Sequence, residues 1–166
     1  MSTLFPLELL KDAEALLGEL QKRSLRLATA ESCTGGLLAS LLTEIPGASV
    51  TLERGLVTYS NAAKTSLLDV DAGLIERLGA VSAEVAGAMA EGALRHAPVE
   101  VAVAITGIAG PDGGTAEKPV GLVYLAVALK TGTTRVIECR FGSIGRGEIR
   151  LASLHAAIEL VREALT

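Results

Sequence analysis

Apolar residues return every three or four positions in several stretches of the chain, and this spacing predicts helices. In the first stretch, for example, Leu10 and Leu17 fall on the same side. Asn61 and Ser82 precede two later stretches, and we predict that they are N-caps, because their side-chain oxygens can accept a hydrogen bond from the first helical turn. Five helices are predicted, over residues 7–20, 34–44, 62–68, 83–96 and 145–165.

Short runs of β-branched and other apolar residues lie between these helices and predict buried strands. The runs cover residues 25–30, 53–60, 99–105, 122–129 and 135–141, and the last two are predicted to form an antiparallel hairpin. Because helices alternate with buried strands, the chain is predicted to have an α/β fold. We expect one domain over residues 1–166, with its core at about 7–165, built as a three-layer α/β/α sandwich with a mixed central sheet.

The composition supports a folded protein without a membrane partner. Of the 166 residues, 49% are hydrophobic, which excludes a disordered chain. The longest uninterrupted apolar run, over residues 122–129, is far shorter than the roughly 20 residues that a membrane-spanning helix needs. The first residues show no basic-then-apolar leader pattern. We therefore expect a cytoplasmic protein, and the apolar content also favours a homodimer.

The charge and the side-chain inventory narrow the choice of ligand. The chain carries a net charge of −4 and has two Tyr, two Phe and no Trp, so it lacks the basic field and the stacking residues of nucleic-acid binders. Two cysteines and two histidines form neither a disulfide framework nor a good zinc site. We expect a small molecule as the partner, with no nucleic acid and no metal.

Three segments carry residues that core packing does not require. In the first, Ser32 and Cys33 stand at the end of a predicted strand, and Thr34, Gly35 and Gly36 open the next predicted helix. Free N–H groups at a helix N-terminus bind an anion or a developing oxyanion. A simpler interpretation is that Ser32 or Thr34 caps the helix.

The second segment contains Tyr59 and Lys64, on either side of a predicted helix start. A lysine whose pKa is lowered in a partly desolvated pocket can take the proton from a serine. A nearby phenol could relay that proton or donate a hydrogen bond. The competing interpretation is a surface lysine beside a packed tyrosine whose hydroxyl faces water.

The third segment is rich in glycine and follows a predicted buried strand. Glycine at this density suggests that the backbone approaches a ligand closely, and the amides of such loops bind phosphates and carboxylates. The alternative is a plain glycine-rich turn. The candidate ligand-binding residues of this segment are Thr106, Gly107, Gly110, Gly113 and Gly114.

Two arginines near the start of the last predicted helix could also bind a phosphate. Arg146 and Arg150 are four residues apart and therefore share one helix face. They could equally be solvated on that face. Cys33 is a weaker candidate nucleophile, because a lone cysteine beside a strand end is more often a small buried residue.

Taken together, these segments resemble the CinA C-terminal domain family and, within it, the stand-alone nicotinamide mononucleotide amidases. The matching stretches occur in the family's order along nearly the whole chain. They are TAESCTGG (29–36), YSNAAK (59–64), GAVS (79–82), TGIAGP (106–111) with GG (113–114), and KPVG (118–121).

The resemblance implies a three-layer α/β/α domain that hydrolyses the carboxamide of nicotinamide mononucleotide to nicotinic acid mononucleotide and ammonia, in pyridine-nucleotide salvage, without metal or cofactor. It makes Ser32 the nucleophile, Lys64 the general base and Tyr59 an auxiliary proton carrier. The oxyanion would be held by amides at residues 34–36 or in the glycine-rich segment. The phosphate would be held by that segment or by the two arginines.

The sequence departs from the family pattern in one place, and other functions compete with the amidase. Most members of the family that the chain resembles are expected to carry an acidic residue where this chain has Gly145, and no stretch here resembles the N-terminal domain of its larger members. A non-catalytic module that binds a nucleotide or a partner is the main alternative, and a thiol hydrolase based on Cys33 is another. The joint presence of Ser32, Tyr59 and Lys64 favours the enzyme.

Overall fold

The computed structural model describes residues 3–166, and it confirms the predicted α/β class. Five strands form one mixed sheet between two layers of helices. The strands are β1 (Leu27–Glu31), β2 (Leu52–Val57), β3 (Val101–Gly107), β4 (Leu122–Leu129) and β5 (Thr134–Arg140). The helices are α1 (Leu7–Lys22), α2 (Leu37–Thr43), α3 (Asn61–Leu68), α4 (Ala72–Leu78), α5 (Ala83–His96) and α6 (Arg146–Ala164), with a 3₁₀ turn at Ala48–Val50.

The strand order is β2-β1-β3-β4-β5. Strands β2, β1 and β3 run parallel, whereas β4 is antiparallel to β3 and pairs with β5 as the predicted hairpin. Glu31, at the end of β1, is in register with Val57 on one side and with Ile105 on the other. The carboxyl ends of the three parallel strands therefore meet at one edge of the sheet, which is where ligands bind in open α/β sheets.

The two faces of the sheet differ in side-chain size. One face presents larger residues such as Val103 and Leu125 to helices α1, α2 and α6. The other presents Ala102, Ala104 and Ala126, against which α5 packs together with α3 and α4. Small residues on that face let α5 lie close to the strands. The predicted sandwich is confirmed in its three layers and its mixed sheet.

Two local predictions were wrong, and one helix was missed. Ser60 is the N-cap of α3 in place of Asn61, because the Ser60 hydroxyl accepts the Ala63 N–H at 3.0 Å. Helix α2 begins at residue 37 and not at 34, after Gly36 in the left-handed conformation (φ +98°) and without any side-chain cap. Helix α4 was not predicted at all. The prediction that Ser82 caps α5 is confirmed, since its hydroxyl accepts the Val85 N–H at 3.3 Å.

Candidate active site

A cleft of about 290 Å³ opens where the parallel strands end. Residues from all three segments that the sequence analysis singled out line it, together with one residue at the start of α6. The lining residues are Ser32, Cys33, Tyr59, Lys64, Ala80, Val81, Thr106, Gly107, Ile108, Ala109, Gly110, Asp112, Gly113 and Arg146.

Ser32 and Lys64 meet at the floor of the cleft. Lys64 Nζ lies 2.9 Å from Ser32 Oγ, although the two residues are 32 positions apart. Lys64 Nζ also donates to the backbone carbonyls of Thr58 at 2.8 Å and Tyr59 at 3.3 Å. These two carbonyls accept two of its N–H groups. The third position around Nζ faces the Ser32 hydroxyl.

Burial changes the chemistry of Lys64. Only 1% of its surface is exposed, and it is among the largest fully buried side chains of the protein. Desolvation penalises the charged form and lowers the pKa of Lys64 from 10.5 to about 8. About a tenth of Lys64 is therefore neutral at pH 7 and about half at pH 8, and a neutral amine beside a serine hydroxyl can act as its general base.

The turn after β1 is organised by a buried carboxylate. Glu31, 1% exposed, accepts the Thr34 hydroxyl at 2.6 Å and the N–H groups of Leu38 at 2.8 Å and Ala39 at 3.1 Å. The first amides of α2 are thus occupied by this side chain. Neither Ser32 nor Thr34 caps α2, so the capping interpretation of this segment is not what the structure shows.

The two arginines of α6 reach different places. Arg146 lines the cleft, where its guanidinium donates to the Gly110 carbonyl at 2.6 Å and to the Tyr59 hydroxyl at 3.3 Å. Arg150 turns to the β1–α2 turn and donates to the backbone carbonyls of Cys33 and Thr34, both at 3.1 Å. Only Arg146 is placed where it can meet a ligand in the cleft.

The glycine-rich loop after β3 forms one wall of the cleft. Gly110 has a φ of +76°, and a Cβ there would lie 2.6 Å from Val120 Cγ1, so the position has no room for a side chain. Thr106, 1% exposed, donates through its hydroxyl to the Ala80 carbonyl at 2.9 Å, which ties the loop before α5 to β3. Asp112 is the acidic residue among the lining side chains.

Cys33 lies beside Ser32 but is poorly suited to nucleophilic attack. It is buried, and desolvation raises the pKa of its thiol from 9.0 to about 11. The thiol is therefore protonated near neutral pH, whereas the thiolate is the nucleophilic form. This environment favours Ser32 over Cys33.

Most of the residues proposed from the sequence line the cleft. Those that line it are Ser32, Tyr59, Lys64, Thr106, Gly107, Gly110, Gly113 and Arg146, and those that do not are Thr34, Gly35, Gly36, Gly114 and Arg150. The Tyr59 side chain is 62% exposed and its hydroxyl contacts Arg146, so its role as a proton carrier stays a prediction.

Sequence reasoning assigned no role to Glu31 or Asp112. Glu31 was visible as an acidic residue at the end of an apolar strand, where a charge is expected only with partners. Asp112 gave no such signal within its loop. Among residues 3–166, no three His, Cys, Asp or Glu side chains gather in a way that could hold a metal ion.

A protein-family model described as the CinA C-terminal domain matches residues 10–165. The chain belongs to the CinA family. CinA-like proteins of Mycolicibacterium vanbaalenii and Geotalea uraniireducens are 56% and 52% identical to it over 140 and 139 residues. Each alignment covers 84% of this chain and 33% of the relative, so the chain spans about a third of the length of these curated relatives.

Solved CinA structures share the whole fold. The competence/damage inducible protein CihA from Agrobacterium tumefaciens superposes with a TM-score of 0.97 at 46% identity, covering 99% of this chain and 100% of that one. A CinA superfamily protein from Escherichia coli gives a TM-score of 0.90 at 33% identity, covering 98% of this chain and 94% of its own. Within residues 3–166, no helix is both long and apolar enough to cross a membrane.

Proposed function

We propose that this CinA-family chain is an amidohydrolase that converts nicotinamide mononucleotide to nicotinic acid mononucleotide and ammonia. The observation that carries the proposal is the buried contact of 2.9 Å between Ser32 Oγ and Lys64 Nζ, at the floor of a cleft with room for a small molecule. A buried lysine is costly, and its placement against a serine hydroxyl is the arrangement that activates a nucleophile.

In the first half of the reaction, neutral Lys64 takes the proton of the Ser32 hydroxyl while Oγ forms a bond with the carboxamide carbon. The resulting tetrahedral intermediate collapses as the carbon–nitrogen bond breaks. Lys64 returns the proton to the leaving nitrogen, which departs as ammonia and leaves an acyl-enzyme on Ser32. The carbonyls of Thr58 and Tyr59 support the ammonium form of Lys64 between these transfers.

In the second half, a water molecule attacks the acyl-enzyme. Lys64 accepts a proton from that water as its oxygen bonds to the acyl carbon, and the bond from the carbon to Ser32 Oγ breaks. The proton returns to Oγ, so the free serine is regenerated and the product leaves as a carboxylic acid. Neither half requires an oxidant or another co-reactant besides water.

The negative oxygen of each intermediate needs N–H donors. We propose the N–H groups of Cys33 and Thr34 for this role, because they follow Ser32 directly and, within residues 3–166, neither donates to another residue. Of the two residues, Cys33 lines the cleft. Arg146 and the amides at Gly110 and Gly113 are our candidates for the substrate phosphate, because cations and glycine-rich loops bind such anions.

The experiment is ammonia release from nicotinamide mononucleotide, with the wild-type protein, Ser32→Ala and Cys33→Ala compared side by side. Release by the wild type and by Cys33→Ala, but not by Ser32→Ala, supports the amidase and its nucleophile. If folded wild-type protein releases no ammonia, the catalytic proposal is wrong for this substrate. A non-catalytic module that binds a nucleotide or a partner then becomes the better explanation.

A further inference from the structure

Arg150 contacts the backbone next to Ser32 without lining the cleft. From α6 its Nε donates to the Cys33 carbonyl and its Nη2 to the Thr34 carbonyl, both at 3.1 Å. The side chain is partly buried and does not line the cleft. Its fork of donors is therefore directed at the backbone next to Ser32 and away from the space that a substrate would occupy.

This contact fixes a peptide plane beside the nucleophile. Within residues 3–166 the Cys33 carbonyl accepts from no donor other than Arg150. Because a trans peptide is planar, its carbonyl and its N–H point in opposite directions, so holding the Cys33 carbonyl also sets the direction of the Thr34 N–H. Arg150 follows Ile149, which is fully buried in the core, so the guanidinium is held by a firmly packed helix.

Glu31 holds the same turn through groups of the opposite kind. Its carboxylate accepts the Thr34 hydroxyl and the N–H groups of Leu38 and Ala39, whereas Arg150 donates to carbonyls. The anion thus accepts from donors between Thr34 and Ala39, and the cation donates to the carbonyls of Cys33 and Thr34. Gly36 is in the left-handed conformation and has no side chain, so it provides no side-chain contact that holds the turn.

We propose that Arg150 is a positioning residue for the Ser32 nucleophile, with Glu31 as its counterpart on the other side of the turn. The proposal rests on the proposed function only in taking Ser32 as the nucleophile. Loss of Arg150 leaves the Ser32–Lys64 pair in place but frees the peptide between Cys33 and Thr34. Misplacement of reacting groups by about 1 Å costs up to about 100-fold in rate, so we expect a decrease of about 10- to 100-fold.

The experiment compares Arg150→Gln and Arg150→Lys with the wild type and with Arg135→Gln, a matched control at an exposed arginine that pairs with Glu163. Each protein is assayed with nicotinamide mononucleotide and with nicotinamide riboside, which lacks the phosphate. In parallel, intact mass measures the rate at which a small fluorophosphonate labels Ser32. The midpoint of thermal unfolding is recorded for every variant.

For Arg150→Gln we expect kcat to fall about 10- to 100-fold on both substrates, with KM within about threefold of the wild type, because a positioning defect acts on the chemical step. Labelling of Ser32 should slow by a similar factor. Arg150→Lys should recover part of both rates, since it keeps the charge and one donor at a time. Arg135→Gln should match the wild type.

Other results would overturn the proposal. A rise in KM for the mononucleotide alone, with kcat unchanged, would make Arg150 a phosphate ligand. Unchanged kcat and labelling would show that the contact is without consequence. Equal losses in the Gln and Lys variants, in step with a lowered unfolding midpoint, would indicate a purely structural role.

The labelling separates this proposal from the amidase proposal. If Ser32 is labelled in the wild type but no ammonia is released, the substrate is wrong, and the labelling rates of the Arg150 variants still decide the positioning role. If Ser32 is not labelled at all, the serine is not an activated nucleophile and both proposals fail. Glu31→Gln provides a second variant, for which we expect slower labelling as well.

Discussion

The floor and the rim of the cleft are built in contrasting ways. On the floor, Ser32 and Lys64 are 8% and 1% exposed, and the lysine is fully engaged by groups of the chain itself. On the rim, Tyr59 is 62% exposed, and Arg146 reaches the glycine-rich loop from the start of α6. The floor is preorganised before any ligand arrives, as chemistry requires, whereas the rim is accessible to a ligand.

This contrast predicts where a substitution affects the chemical step and where it affects binding. Changes on the floor should lower kcat without altering how substrate is held. Changes on the rim should alter KM and leave the chemical step largely intact. The predictions below test this division, beginning with the largest expected effect.

Ser32→Ala should abolish turnover. Loss of the proposed nucleophile removes the covalent route, and a decrease in kcat of at least about 10³-fold is expected from other serine hydrolases. The fold should survive, because Ser32 caps no helix and, within residues 3–166, its hydroxyl forms a hydrogen bond with Lys64 alone. Steady-state ammonia release and circular dichroism measure the two quantities. Residual activity within tenfold of the wild type would contradict the assignment of Ser32.

The pH dependence of activity is the second prediction. Because Lys64 must be neutral to act as a base and its pKa is about 8, kcat/KM should increase about tenfold per pH unit below pH 8 and level off above it. The profile is measured with stopped-time ammonia assays between pH 6 and 9.5. A profile that is flat across this range would exclude Lys64 as the titrating base.

The same group links stability to pH, which provides an independent measurement. In the unfolded chain Lys64 has its ordinary pKa of 10.5, so between about pH 8 and 10.5 the unfolded state binds more protons than the folded state. The contribution of Lys64 to the free energy of unfolding should therefore rise with pH in this window, by up to about 3 kcal/mol at about 1.4 kcal/mol per pH unit. Lys64→Met should remove that rise in urea titrations.

Substitution at the rim should have a smaller and different effect. Arg146→Gln should raise KM for nicotinamide mononucleotide about tenfold, because one charge-assisted hydrogen bond to the phosphate is lost, and should change kcat by less than about threefold. Nicotinamide riboside serves as the control substrate, since it has no phosphate for Arg146 to bind. An equal loss on both substrates would show that Arg146 acts on the chemistry, through Tyr59 or the loop, and would weaken the division between floor and rim.

The floor also shows how much of the candidate site could be predicted from the sequence alone. Residue types and spacing indicated a hydroxyl at a strand end and a lysine on a short helix, and the family resemblance joined them as a pair. The contact itself depends on β1 and β2 ending side by side, a long-range feature that periodicity does not encode. In the same way, Arg146 and Arg150 share a helix face, but only the packing of α6 sends one to the cleft and the other to the turn.

Local sequence signals failed at the starts of α2 and α3 and at helix α4, each for its own reason. Thr34 has the residue type of an N-cap, yet its hydroxyl donates to Glu31, whose carboxylate takes the α2 amides that a cap would have taken. Ser60 precedes Asn61, and both are good caps, so residue type could not choose between them. Helix α4 has only seven residues and depends on packing against α5, which explains why its pattern was too short to predict.

Cys33→Ala should have the smallest effect on kcat of the substitutions considered. It tests whether Ser32 and Lys64 are the reacting groups on the floor without the neighbouring thiol. Cys33 lines the cleft beside Ser32, but its thiol is protonated near neutral pH, since burial raises its pKa to about 11. Replacement removes one buried sulfur and should cost about 1 kcal/mol of stability with kcat changed by less than about threefold. If kcat falls as far as in Ser32→Ala while the unfolding midpoint holds, the thiol takes part in the chemistry. The preorganised floor would then contain a third reacting group beside Ser32 and Lys64.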